Sequence, residues 1–79
     1  MNLEDVAIGD VLDAGMSLRG MLDLERRTGI PSVRLALRLE ALLDDPDAYA
    51  LYPRQVRVLR DRRDARRSAR RAHIGITAV

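Results

Sequence analysis

The chain contains no cysteine, no lysine, no tryptophan and no phenylalanine in its 79 residues, and a single histidine, His73. Without cysteine there is neither a disulfide nor a thiolate zinc site to make up for a small core. Without lysine or cysteine the strong side-chain nucleophiles are missing, and Ser17, Ser32 and Ser68 have no evident base to activate them. The acidic group Asp44, Asp45 and Asp47 lacks the spacing and the glycine of a calcium loop, and no glycine-rich stretch has the pattern that cradles phosphate. Catalysis, a bound metal and a cofactor are therefore not expected. The two aromatics, Tyr49 and Tyr52, do not interleave the basic residues, which disfavours stacking on single-stranded nucleic acid. No apolar run approaches the ~18 to 20 residues of a membrane span, and the acidic start "MNLEDVAIGD" is unlike a basic signal-peptide region. The expectation is a soluble, cytoplasmic protein with no membrane partner.

What is present is arginine. All 14 basic residues are Arg, beside abundant Ala, Asp, Leu and Val, a bias that suggests a GC-rich bacterial or phage genome. The charges are split along the chain. Residues 1–52 carry ten acids and five Arg, a net of −5, whereas residues 53–79 carry nine Arg against Asp61 and Asp64, a net of +7. An acidic body with a basic tail implies contact with a polyanion or head-to-tail association between copies. A chain this short is one domain at most, with a marginal core, so self-association or a partner is the remaining source of stability.

The hydrophobic rhythm predicts an all-α fold, a domain of three to four helices in residues 1–60 followed by an Arg-rich extension in residues 61–79. Asn2 is placed to cap a first helix carrying Leu3, Val6, Ala7, Val11 and Leu12, although Gly9 and Gly15 weaken it, and "VAIGDVL" fits a short extended turn equally well. Ser17 caps a clearer helix from Leu18 to about Thr28, with Leu18, Met21, Leu22 and Glu25 at i, i+3, i+4, i+7. Gly29 stands where a left-handed residue ends a helix, and Pro31 suits the first turn of the next, which runs through Leu43. On that helix Leu35, Leu39 and Leu42 form one stripe, widened by Ala36 and Leu43. Val33 and Leu37 fall outside it, so either the fold covers two faces or a second chain meets one of them. Asp44, Asp45 and Pro46 stop the helix, and Asp47 is placed to cap one turn bearing Tyr49, Leu51 and Tyr52. Pro53 then opens a helix to about Ala72 with Val56, Leu59 and possible inward Val58, polar all round beyond Arg60 unless that part is a disordered tail. The closing "IGITAV" is short and β-branched, and either dangles or pairs with a neighbour.

Two helices joined by a tight, Gly-containing turn are able to cross at a large angle and present the second to a major groove. "LERRTGIPSVRLALRLEAL" resembles the helix-turn-helix family: Leu24 five residues before Gly29, Gly29 in the turn, Ile30 closing it, and Leu35 and Leu39 packing the second helix back. The opening "TGIPS" is similar to many bacterial regulators. One departure stands four residues before Gly29, where the family usually has a small residue and this chain has Glu25. The resemblance implies a transcriptional regulator on double-stranded DNA, with a dimer as its expected state. Ser32, Arg34 and Arg38 of the second helix would then contact phosphates or bases, and Arg54, Arg57, Arg62, Arg63, Arg66, Arg67, Arg70 and Arg71 would add phosphate contacts. An alternative of another class is a helical assembly or protein-interaction module. "SLRGMLDLERRTGI" followed by a short helical body is similar to small phage morphogenesis proteins such as tail assembly chaperones, and Val33 and Leu37 would then be interface with a protein partner.

Overall fold

The computed structural model describes the backbone of residues 2–77 and the side chains of residues 2–71. Every regular element among them is helical: a 3-10 turn at Leu3–Asp5, then α1 (Ile8–Gly15), α2 (Leu18–Thr28), α3 (Ser32–Leu43), α4 (Pro46–Leu51) and α5 (Pro53–Thr77). The expected all-α class holds, with five helices in place of three or four. The added helix is α4, a true helix of six residues where a single turn was expected; the first segment divides into the 3-10 turn and α1 without adding an α-helix.

Local chemistry sets most of the boundaries. Asp5 Oδ2 accepts from the Asn2 backbone N–H at 3.3 Å and tightens the 3-10 turn. Ser17 Oγ accepts from Gly20 N at 3.0 Å, capping α2 at the expected residue. Gly29 ends α2 in the left-handed conformation, φ 71°, and its N–H donates to the Glu25 carbonyl at 2.8 Å. Pro31 stands one residue earlier than expected: it caps α3 from outside, its carbonyl accepting from Arg34 N and Leu35 N. The cap of α4 also differs from expectation. Asp45, not Asp47, holds it, accepting from Asp47 N at 2.9 Å, because Pro46 takes the first helical position, where it needs no N–H partner.

α3 is the central helix and touches each of the other four. Its Leu35, Leu42 and Leu43 meet Val11, Leu12 and Ala14 of α1, Leu24 of α2, Ile30 of the turn, Ala48 of α4 and Val56 and Leu59 of α5 in one buried cluster, joined by Val6. In α2 the buried face is centred on Leu24, so the Leu18, Met21, Leu22 and Glu25 rhythm runs along its edge. Leu18 and Leu22 are exposed, contrary to the expectation that they pack inward. Val58 is likewise exposed, one side of α5 away from Val56 and Leu59.

Tertiary contact explains why α1 is helical despite its two glycines. A Cβ at Gly9 would run into the Tyr52 ring, and one at Gly15 into Leu39, so both glycines mark surfaces on which other elements lie directly. Between α1 and α2 it is backbone that stands close: a Cβ on Gly20 would sit 2.8 Å from the Ala14 carbonyl oxygen and 2.9 Å from the Ala14 Cα.

α5 runs without a break through residue 60, so body and Arg-rich extension share one helix. Its 25 residues are about 37 Å long at helical rise, against a longest molecular dimension of 48 Å. From Asp64 to Arg71 every side chain is exposed; Ala65 and Arg66 still lie beside α2 and α3, Arg67 reaches Glu40, and only the part beyond Arg67 projects past the body. The backbone of "IGITAV" is helical as far as Thr77; the His73 side chain and residues 78–79 lie outside the described residues.

Two substitutions at glycine test this packing with opposite logic. Gly20→Ala would stabilise an ordinary helix interior by about 0.5 to 1 kcal/mol, but here it should destabilise by about 1 to 3 kcal/mol through overpacking against Ala14. Gly29→Ala meets no atom within 4 Å, so it should cost only the left-handed backbone strain, about 1 kcal/mol. Urea unfolding of the two variants measures both; a Gly20→Ala protein more stable than the parent would contradict the close α1–α2 contact.

Candidate nucleic-acid interface

The corner between α2 and α3 is built by side chains that the turn itself recruits. Thr28 Oγ1 donates to the Leu24 carbonyl at 2.7 Å and accepts from Ile30 N at 3.2 Å, so one hydroxyl spans the end of α2 and the start of the turn. Ile30 is buried beneath it. Glu25 reaches across the turn, and its Oε2 accepts from Ser32 N at 3.0 Å. A carboxylate at the positive end of α3 satisfies one of the N–H groups left free there and opposes the helix dipole favourably. The residue that departs from the helix-turn-helix pattern is thus half-buried and serves as the side-chain cap that Pro31 cannot supply.

The other end of α3 is held by arginines of α5. Arg60 Nε donates to the Leu43 carbonyl, and its guanidinium lies 5.3 Å from the centroid of the Tyr49 ring. Arg63 Nη1 donates to both carboxylate oxygens of Asp44, at 3.2 and 3.3 Å, and the Arg63 side chain is only 14% exposed. Its Nε is 3.7 Å from Asp64 Oδ1. Arg67 stands 4.0 Å from Glu40 on α3, an exposed pair, and Arg62 Nη1 donates to the Met16 carbonyl at the end of α1. Three of the eight α5 arginines expected at phosphate, Arg62, Arg63 and Arg67, are thereby engaged within the fold. Arg54, Arg57, Arg66, Arg70 and Arg71 are exposed and make no ion pair among the described residues.

With its ends fixed, α3 turns a continuous face to solvent. Val33, Arg34, Leu37 and Ala41 are exposed and Arg38 half-buried, at spacings that put all five on one side of the helix. Val33 and Leu37 are 69% and 66% exposed, so among the described residues nothing covers the second apolar face. Neither Arg34 nor Arg38 is paired with a carboxylate of the described residues. Ser32 is half-buried with its N–H committed to Glu25.

Beside this face a groove of about 730 Å³ runs between α2, α3 and α5. Leu18, Met21, Val33 and Ala36 line one side, and Arg62 and Arg66 the wall formed by α5. Sequence reasoning missed the capping role of Glu25 and the inward turn of Arg63. The signal for the first was an acid seven residues before the first helical residue of α3, across a Gly-x-Pro turn. The signal for the second was Asp44 directly after α3.

The arginines of α5 should separate by their stability effects. Arg60→Ala removes a bond to a helix-end carbonyl and the Tyr49 interaction, and should cost about 1 to 2 kcal/mol, whereas Arg70→Ala and Arg71→Ala should stay within about 0.5 kcal/mol of the parent. Glu25→Ala should cost about 1 kcal/mol, as loss of a helix cap does, with Glu25→Gln retaining part of it. Thermal unfolding of these variants in parallel reads the pattern.

The comparisons find no curated protein and no solved structure that matches the chain. A family model described as protein of unknown function (DUF3263) matches residues 21–71, from the first turns of α2, across the Gly29 corner and α4, to the arginines of α5. That span is well over half of the chain, and the chain belongs to the DUF3263 family.

Proposed function

We propose that the protein binds double-stranded DNA as a small helix-turn-helix regulator of bacterial or phage type, with α3 entering the major groove, and that it has no catalytic activity. The observation that carries the reading is the outward face of α3. Arg34 and Arg38, one turn apart, have no carboxylate partner among the described residues on a helix whose two ends are fixed by Glu25 and Arg60. A rigid helix about 10 to 12 Å across fits a groove about 12 Å wide. The exposed Arg66 beside the groove, Arg70 and Arg71 on the projecting part of α5, and Arg54 and Arg57 at its start would supply sequence-independent attraction to phosphate. The reading carries a dimer as well. One helix with two arginines is a small footprint, and two copies on half-sites about 34 Å apart would double it.

Salt titration of binding to duplex DNA tests this. Arg34→Ala and Arg38→Ala should each weaken binding several-fold and lower the slope of log K against log salt by about 0.9 for each phosphate no longer neutralised. Arg70→Ala with Arg71→Ala should lower the slope without changing sequence preference. If neither Arg34→Ala nor Arg38→Ala alters affinity, α3 is not the reading helix.

A second reading, a helical assembly or interaction module, is supported by the groove between α2, α3 and α5 and by Leu18, 77% exposed at its edge. It expects concentration-dependent self-association, or a stable complex with a protein partner, that Leu18→Ser removes while duplex binding is absent throughout.

A further inference from the structure

The DNA reading leaves Val33 and Leu37 without a role, since two aliphatic side chains stand open on the face where polar base-reading groups are expected. Each is followed at once by an arginine, Val33 by Arg34 and Leu37 by Arg38, so the outward face of α3 alternates apolar and cationic groups. Small Ala41 continues the same face and allows close approach. Resting on that DNA reading, we infer that Val33 and Leu37 are specificity-determining residues whose ligand is the C5-methyl group of thymine in the major groove.

The chemistry of the face favours this occupant over a protein. Covering Val33 and Leu37 with another protein's apolar surface would also take Arg34 and Arg38 out of water, which is costly unless that protein brings a carboxylate to each guanidinium beside its apolar patch. Duplex DNA supplies both complements at once. Phosphates and guanine edges accept from arginine, and thymine methyl groups are the apolar features of the groove floor. Val33 and Leu37 are one turn apart, about 6 Å along the axis, and base pairs are stacked about 3.4 Å apart. The two side chains therefore address thymines one to two base-pair steps apart.

The test selects duplexes from a random pool with the full chain, then measures binding of the recovered site with thymine replaced by deoxyuridine, which removes only the methyl. The inference expects thymines at that spacing and affinity about four-fold weaker for each recognised methyl removed. It expects Val33→Ser and Leu37→Ser to bind the thymine site more weakly and to lose the response to deoxyuridine, each at one position. Their salt dependence should be unchanged, and both sites are exposed enough for the variants to fold. If binding depends on Arg34 and Arg38 but deoxyuridine has no effect, the thymine inference is wrong and the DNA reading stands. If no duplex is bound, both fall. If Val33→Ser and Leu37→Ser instead convert an oligomer to monomer in sedimentation and leave the response to deoxyuridine intact, the face is a protein interface and the inference is overturned.

Discussion

The structure depends on α3 being held at both ends. A twelve-residue helix is marginal by itself in water, because nucleation is costly and each end leaves backbone groups unpaired. Here a carboxylate from the preceding helix, Glu25, meets the N-terminal N–H groups, and a guanidinium from the following one, Arg60, meets the C-terminal carbonyl. Both charges have the sign that the helix dipole favours. Leu35, Leu42 and Leu43 then bury one side of a helix whose position along its axis is already defined, and the opposite side is left free of structural duty.

That division explains how one arginine-rich helix serves two purposes. Within the first three turns of α5, Val56 and Leu59 pack inward and Arg60 and Arg63 extend the packed face by reaching the end of α3. A half-buried guanidinium needs a carboxylate or carbonyl close by, and Leu43 and Asp44 provide them. Beyond Arg66, which still lines the groove, and Arg67, which reaches Glu40, the same residue type becomes a projecting charge at Arg70 and Arg71. The net +7 of the second half is therefore a sum of structural and free charges, and only the free ones are open to a polyanion.

Much of this was legible in the sequence. Ser17, Gly29 and Pro53 mark helix boundaries because each has a conformational reason that holds in isolation, and Leu24, Ile30 and Leu35 were legible as the packed corner because their spacing matches a helix pair. The functions of Glu25 and Arg63 were not legible, because a polar residue at an inward position is explained only by the atom it meets, and those atoms lie in other elements. α1 was ambiguous for a related reason. Gly9 and Gly15 argue against helix by propensity, yet each is where Tyr52 or Leu39 lies against the backbone, so tertiary packing outweighed the local preference. The edge positions of Leu18 and Leu22 were also hidden, since periodicity gives the existence of an apolar face without fixing its centre.

The family match begins at Met21, so α1 precedes it, although Val11 and Leu12 of α1 share one buried cluster with Leu24 and Leu35. The matched span supplies the corner, its two clamps and the arginine helix, whereas part of the lid over the core comes from outside it. That lid lies on the buried side of α3. The outward face carrying Val33, Arg34, Leu37 and Arg38 is inside the matched span, and none of these four belongs to the buried core. Substitutions on that face therefore cost folding little, while Glu25, Gly29 and Leu35 answer to the geometry of the corner.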